Sequence, residues 1–453
     1  MELPRELIEL LFGGLLVLTV SVHFIKSLGK RYNITLIDIS VWITGISFGL
    51  APFILIFSGG YFPKANNIDV VFSYIGIFLF ISGLLAIKKY FFKNSKESFN
   101  LQNLIKSVNK INPRQVLFFY TVFFIVRLIF AFDYGIFGSG SATSERMTSL
   151  PYLLFVSRSL LDLTFFGILL WSITKTLYNK KFYILPAIII IIETLLIFFN
   201  GRRQMLFLVF LFLYVYILTG YRVNLKILIP STLILIVLFN VIFPAFISFR
   251  EIALHITSTG DLIEDYKTSY YLLSETGVDN EFYESNVAQR VYINAWNINI
   301  LNKTSLVEGL SGQALAMCVL WVVPRPLLPF KGTLKDPELL ISYTYGLPLN
   351  DSPSNWPAYG FADFGLIGGL LYGLILGLFL YSFQKIAASN LNRYPFFTFI
   401  TLGSVSFLAF FVEESPIAVF SVMRDSLILY LIFYLAGLFK NKQLKKSAIP
   451  QRA

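Results

Sequence analysis

Long apolar stretches recur along nearly the whole chain and constrain its fold more than any other feature. Each covers about 16–22 residues, and most are long enough, as a helix rising 1.5 Å per residue, to cross roughly 30 Å of hydrocarbon. Eleven such windows can be placed, near residues 7–25, 36–57, 69–87, 116–132, 153–173, 182–199, 205–220, 227–246, 366–383, 395–412 and 417–439. The sequence therefore predicts an all-α polytopic membrane protein with about eleven transmembrane helices.

The composition excludes soluble enzyme folds. Hydrophobic residues make up 56% of the chain and charged residues 14%, against about 45–50% and about 25% in ordinary globular proteins. A soluble chain with 47 Phe, 25 Tyr and 5 Trp would expose more aromatic surface than so few charges could protect from aggregation. One cysteine and two histidines exclude an intramolecular disulfide and a zinc site built from several Cys or His ligands. We expect no metal and no cofactor.

The loops between the windows alternate in charge. One set holds 22 of the 37 basic residues and a single acid, Glu97; it comprises residues 26–35, 88–115, 174–181, 221–226, 384–394 and the tail from Lys440. The positive-inside rule makes this set cytoplasmic, so the N-terminus faces outward and the C-terminus inward. The net charge of +11 is then a property of membrane topology. A nucleic-acid partner is not expected.

The longest segment between windows divides the chain into four parts. Transmembrane helices 1–8 occupy residues 1–246, a large outward loop 247–365, helices 9–11 residues 366–439, and a basic cytoplasmic tail 440–453. The loop contains 13 acidic and 7 basic residues. Its size on one face of a bundle with otherwise short loops indicates the region that handles substrate.

The large loop is expected to be partly helical and packed on the bundle. Its second half is rich in Pro and Gly, which predicts turns within a compact irregular structure. This half also contains aromatic side chains that need burial, namely Trp321, Phe330, Trp356 and Tyr359. Residues 313–323 are apolar but too few to cross a bilayer. They are predicted to form an interfacial or re-entrant segment.

Arginine is concentrated away from the cytoplasmic loops. The cytoplasmic set has 17 Lys and 5 Arg, whereas the other 15 basic residues are 10 Arg and 5 Lys. The guanidinium group is a permanently charged, planar fork that binds phosphate or carboxylate in a bidentate manner. A cluster of such groups at the outer interface would suit the diphosphate of a lipid-linked sugar. The candidate diphosphate-binding residues are Arg127, Arg158, Arg202, Arg203, Arg250, Arg325 and Arg424.

Structural roles remain open for several of these charges. Arg158 and Asp162 are four residues apart and can neutralise each other on one helix face. Arg127 can extend to the interface. Glu193 lies inside a predicted span, where it is either functional or packed against another helix. Mutual salt bridges are the alternative for the charges around the last outward turn, which are Glu413, Glu414, Arg424 and Asp425.

Four segments together resemble a known family. They are NGRRQMLFLVF (200–210), VVPRPLLPFKG (322–332), PSNWPAYGFADFGLIGG (353–369) and EESPIAVFSVMRDSLILY (413–430). They are similar to segments of the Wzy-type oligosaccharide repeat-unit polymerases, and especially to the branch of the enterobacterial common antigen polymerases. The layout of spans and of the large outward loop is also similar along nearly the whole chain.

The resemblance implies a glycosyltransferase at the outer face of the bacterial inner membrane. A glycan carried on undecaprenyl diphosphate is transferred to the terminal sugar of a lipid-linked repeat unit, and a flippase and a chain-length regulator of the same pathway are the implied partners. Arginine near the leaving diphosphate can replace a metal ion. An O-antigen ligase or a non-enzymatic flippase for the same lipids remains an alternative.

The implied reaction needs a group that accepts the proton of the acceptor hydroxyl. The candidates are Glu413 or Glu414 first, Asp351 or Asp363 second and His255 third. Aromatic side chains provide faces on which sugars stack. The stacking candidates are Trp321, Trp356 and Tyr359.

Overall fold

The structure is a computed structural model of the chain. It describes residues 4–29, 34–57, 62, 65–92, 107–134, 152–179, 183–195, 267, 293–304, 308–324, 327–347, 355–391, 393–410 and 415–435.

The described residues are helical and contain no strand. Nine of the eleven predicted windows contain a helix in the described structure: the first six, from 7–25 to 182–199, and the last three, from 366–383 to 417–439. The helices are α1 (Arg5–Gly29), α2 (Leu36–Phe57), α3 (Asn67–Ile87), α4 (Pro113–Tyr134), α5 (Tyr152–Asn179), α6 (Ile184–Leu195), α7 (Asn294–Lys303), α8 (Gln313–Val322), α9 (Pro337–Tyr345), α10 (Trp356–Asn390), α11 (Pro395–Phe410) and α12 (Pro416–Leu435).

Seven of the described helices are long and apolar enough to cross a membrane, namely α1 to α5, α10 and α12. The described parts of α6 and α11 cover 12 and 16 residues and are apolar but shorter. The windows at 205–220 and 227–246 lie outside the described residues. An all-α membrane protein is thus the observed class, and the number of eleven spans stays a prediction.

The helices form a bundle with an interior and a lipid-facing rim. Helices α2, α3, α5, α10 and α11 pack on one another in the interior, and α1, α4 and α12 lie at the periphery. Apolar side chains on α1 point away from the protein in one stripe, from Leu7 and Leu11 to Leu15, Leu18, Val22 and Ile25. Such a stripe on the outside of a bundle is the surface that a bilayer covers.

One end of the bundle, called here the basic end, is where α2, α4 and α11 begin and α1, α3, α5, α10 and α12 end. Contacts join these termini directly: the Leu36 amide donates to the Gln384 carboxamide at 3.2 Å, and the Lys175 ammonium donates to the Asn109 side chain at 2.7 Å. At this end Asp38 is fully buried and accepts from Ser27, His23 and Lys88. This carboxylate therefore joins α1, α2 and the end of α3.

Helix α10 is interrupted near its start. Phe364 (φ −136°, ψ 19°) and Gly365 (φ 58°, ψ −144°) leave the helical conformation, and the dihedral pair of Gly365 is one that side chains disfavour. The chain reverses there, so that Gly360 and Gly368 meet backbone to backbone. Residues 356–363 therefore form a short helix that folds back along the rest of α10.

The end of the large loop differs from the turn-rich irregular structure that the sequence predicted. The first part of α10 is helical because Asn355 caps it, accepting from the Ala358 amide at 2.9 Å, with Pro357 in the first turn. Asp336 and Pro337 begin α9 in the same way. A polar residue followed closely by proline is common both in turns and at the first turn of a helix. In this segment both such sequences begin helices, α9 and α10.

The aromatic residues of the loop are not all buried as expected. Trp356 and Tyr359 are buried, but Phe330 is 56% exposed. Phe330 lies in a short 3-10 turn, Pro329–Thr333, at the surface of the described structure. The expectation of burial was wrong for Phe330, because the turn that contains it lies at the surface.

Candidate functional site

Helix α8 is held at its N-terminal end by Asp363. The Asp363 carboxylate accepts hydrogen bonds from the Ala314 amide at 2.9 Å and the Leu315 amide at 3.1 Å, and it also accepts from the Tyr372 hydroxyl at 2.5 Å. The first amides of a helix have no partner within the helix and carry a partial positive charge. The buried Asp363 carboxylate, which is 2% exposed, provides both the missing hydrogen-bond acceptors and a negative charge next to this end of the helix.

Two cations bind the other end of α8. The Arg424 guanidinium on α12 donates to the Val322 carbonyl at 3.2 Å. The Lys331 ammonium donates to the Val323 carbonyl at 2.9 Å and to the Trp321 carbonyl. The last carbonyls of a helix carry a partial negative charge, so cations are stabilising there.

These contacts bring distant parts of the chain together. Four elements meet within one packed unit: helix α8, the turn that contains Lys331, the hairpin of α10 that contains Asp363, and the first half of α12 with Arg424. Three of the four segments that carry the family resemblance, 322–332, 353–369 and 413–430, contribute to it. The fourth, 200–210, lies outside the described residues.

Arg424 is also bound to its neighbour in sequence. Its Nε donates to the Asp425 carboxylate at 2.6 Å, and the Arg424 side chain is 16% exposed. The salt bridge was one of the alternatives that the sequence left open for this pair.

Asp363 was predicted as a second-rank proton acceptor, a role that stays a prediction, and in the structure its carboxylate holds the start of α8. Two backbone amides and one hydroxyl already donate to this buried carboxylate. Tyr372, on the next part of α10, was not singled out from the sequence, since only the reversal at Gly365 brings it to Asp363. Lys331 was missed as well, although a cation shortly after an apolar helix is a signal for a C-terminal cap.

Of the aromatic stacking candidates, Trp356 and Tyr359 are covered by protein. They are 4% and 0% exposed, and the Trp356 ring contacts the Tyr372 ring edge to face at 6.0 Å. Their faces are closed to a sugar in this structure, because both rings pack into the hairpin of α10. Trp321 is half-buried, with the Lys331 ammonium 5.7 Å from its ring centre, and it stays a stacking candidate.

Arg127 lies in a different cluster. Its Nη1 donates to both oxygens of Glu193 at 3.1 Å, and the Tyr120 hydroxyl donates to the same carboxylate at 2.9 Å. Arg127 also lies over the Phe123 ring at 4.4 Å. With exposures of 6% and 0%, Arg127 and Glu193 form a buried pair between α4 and α6. Packing against another helix, one of the two alternatives for Glu193, is what the structure shows.

The other predicted site residues cannot be placed from the described part of the chain. Arg158 lies on α5, and its side chain is outside that part. The remaining candidates fall in undescribed segments; they are Arg202, Arg203, Arg250, His255, Arg325, Asp351, Glu413 and Glu414. Among the described residues, no three His, Cys, Asp or Glu side chains converge as metal ligands.

Comparisons of this chain with protein-family models, with curated proteins and with solved structures gave no match.

Proposed function

We propose that this protein is a membrane glycosyltransferase that polymerises lipid-linked oligosaccharide repeat units at the outer face of the bacterial inner membrane. The observation that supports the proposal best is the meeting of three of the resembling segments around α8. Residues that are up to about a hundred positions apart, such as Val322 and Arg424, are joined there by direct hydrogen bonds. A shared site explains why these segments occur together in one chain.

The proposed reaction is a displacement at the anomeric carbon of the donor. The hydroxyl of the acceptor sugar attacks that carbon, the bond to undecaprenyl diphosphate breaks, and the proton passes to a carboxylate. Arginine side chains stabilise the charge of the departing diphosphate. Arg202 and Arg203 are the first candidates for that role, and Glu413 or Glu414, just before α12, for the proton acceptor.

The proposed function is tested by deleting the gene and analysing the surface glycan. A polymerase deletion leaves glycan capped by a single repeat unit, and the plasmid-borne gene restores long chains. Complete loss of the surface glycan would contradict the proposal and indicate a ligase or a flippase. Purified protein should also lengthen lipid-linked repeat units in excess EDTA; inhibition that magnesium reverses would reject the metal-independent mechanism.

The arginine assignment is tested with purified variants of equal insertion. Replacing Arg202 and Arg203 together with Ala should abolish long chains, and Lys should restore activity only partly because an ammonium cannot form the bidentate contact. Arg114→Ala is the matched control, since Arg114 is exposed at the basic end of the bundle. Full polymerisation by the double Ala variant would reject this site.

The proton acceptor is tested by Glu413→Gln and Glu414→Gln. Loss of a general base lowers turnover by about 100-fold or more. Donor binding should change little, because Gln preserves size. Normal turnover in both variants would move the role to Asp351, Asp363 or His255 in the large loop.

A further inference from the structure

A small cleft of about 70 Å³ opens at the basic end, far from α8. It lies between the starts of α4 and α11 and the last turns of α12. Its lining includes two cations, one amide and several aromatic rings; those used below are Lys110, Gln115, Phe119, Arg393, Phe397 and Phe433. The proposed polymerase chemistry uses none of these residues.

The inner part of the cleft is aromatic. The Phe119 ring contacts the Phe433 ring with centres 5.4 Å apart, and Phe397 contacts Phe433 at 6.1 Å. Phe397 and Phe433 are 8% and 3% exposed, so they form a rigid apolar wall. Such a wall can contact hydrocarbon chains, but it has no polar groups that could replace the water around a strongly hydrated ion.

The mouth of the cleft is cationic. Lys110, Arg393 and Gln115 are exposed there, and no acidic residue is among those that line the cleft. Helix α11 begins at Pro395 on the cleft wall, so the positive end of its dipole adds to the same potential. The segments 88–115 and 384–394 carry nine Lys or Arg and one acid, Glu97. The mouth therefore attracts anions.

The hydrophobic surface continues from the cleft onto the outside of the bundle. Leu117 and Phe118 on α4 are 48% and 63% exposed, and Tyr434 on α12 is 65% exposed. A ligand that fits this surface has an anionic head for the mouth and a long apolar tail for the adjoining helix faces. Basic pockets between transmembrane helices bind lipid headgroups in this manner.

We propose that this cleft binds one anionic phospholipid, with its phosphate at Lys110 and Arg393 and its acyl chains along α4 and α12. The chain's own tail is the competing occupant, since it follows α12. Residues 440–453 contain five Lys or Arg and no acid. The cations at the mouth repel this tail and attract the phospholipid.

The test uses full-length protein in detergent, with native mass spectrometry after addition of phosphatidylglycerol or phosphatidylcholine. We expect one tightly retained phosphatidylglycerol per chain and weaker retention of phosphatidylcholine. The double variant Lys110→Gln/Arg393→Gln should weaken phosphatidylglycerol binding about 25-fold, five-fold for each cation removed. Lys385→Gln is the control, because Lys385 is exposed at the same end but does not line the cleft.

Four results would overturn the proposal. The first is equal retention of the two lipids by the wild-type protein. The second is unchanged phosphatidylglycerol binding in the double variant. The third is an equal loss in Lys385→Gln, which would indicate general attraction to the basic end. The fourth is binding that arises only after residues 440–453 are removed, since the tail would then be the occupant. Thermal unfolding of each variant excludes misfolding as the cause of a loss.

Discussion

At the scale of single residues, the buried Arg127 and Glu193 pair shows how a polar contact inside the membrane region is stabilised. Both groups are almost fully enclosed, and the carboxylate has a second donor in Tyr120. Removing one partner of a buried pair leaves an uncompensated charge and costs about 3–5 kcal/mol, whereas replacing both with apolar groups of similar size is often neutral.

Glu193→Gln should therefore lower the midpoint of thermal unfolding strongly, and Arg127→Met/Glu193→Leu should recover most of the loss. Unfolding in detergent, followed by light scattering, measures both. The same double variant separates the two roles of Arg127. If it is stable and polymerises normally, Arg127 is structural; if it is stable and inactive, Arg127 contributes to diphosphate binding.

Cys318 on α8 provides a second prediction at this scale. It is the one cysteine of the chain and is fully buried. Burial, with smaller contributions from Asp363 and Asp336, raises the pKa of its thiol above the usual range. Because the thiolate is the reactive form, labelling by a thiol-reactive maleimide at pH 7.5 should be slow in the folded protein and fast once α8 detaches.

The labelling rate then reports on how α8 is held. Arg424→Gln, which removes the cation at the Val322 carbonyl, should speed labelling relative to the wild-type protein. Lys385→Gln, remote from α8, serves as the comparison. Rapid labelling of the wild-type protein would contradict the buried position of α8.

At the scale of elements, α3 and α10 approach each other so closely that glycine is required between them. A Cβ on Gly373 would lie 2.1 Å from the Phe80 carbonyl oxygen, and one on Gly83 would lie 2.6 Å from the Leu370 carbonyl oxygen. Small residues at helix contacts allow such approach in membrane proteins, where packing replaces the hydrophobic effect as the force between helices.

Gly373→Ala should therefore destabilise the protein by about 1–3 kcal/mol, because two backbones must separate. Gly14→Ala on α1 is the matched control. Its Cβ would lie 3.7 Å from the Phe53 ring, an ordinary contact, and alanine favours the helix by up to about 1 kcal/mol. Equal unfolding temperatures for the two variants would show that α3 and α10 are not in close contact.

At the scale of the whole molecule, the charge asymmetry makes a prediction about orientation. A reporter fused after Lys96 should be cytoplasmic, and one inserted near Asp279 should be extracytoplasmic. Alkaline phosphatase, active outside, and a fluorescent protein, which matures inside, give opposite readings at the two positions. Both reporters on one side would reject the arrangement of eleven spans.

The sequence alone was sufficient to predict the class of the protein and nine of its apolar helices. Hydropathy over about 20 residues is a local property, and it identifies a membrane helix without knowledge of its neighbours. Some predicted ends were close to the observed ones, for example 36–57 against Leu36–Phe57, whereas the window 366–383 lies inside the longer helix α10, Trp356–Asn390. The prediction from sequence was wrong about the end of the large loop, where it expected turns and the structure has helices. Capping residues and prolines are compatible with either turns or helix starts.

The partners of the buried polar groups were decided by the tertiary structure. Glu193 and Arg127 are 66 positions apart, and Asp363 and Ala314 are 49 apart. No periodicity links such residues, so their pairing depends on which helices become neighbours and on the reversal at Gly365. The sequence by itself determined where helices form and which loops are basic, because hydropathy and charge are read from the residues directly. Only the packing of those helices decided that Asp363 and Arg424 hold the two ends of α8, because a hydrogen bond needs both partners within about 3 Å.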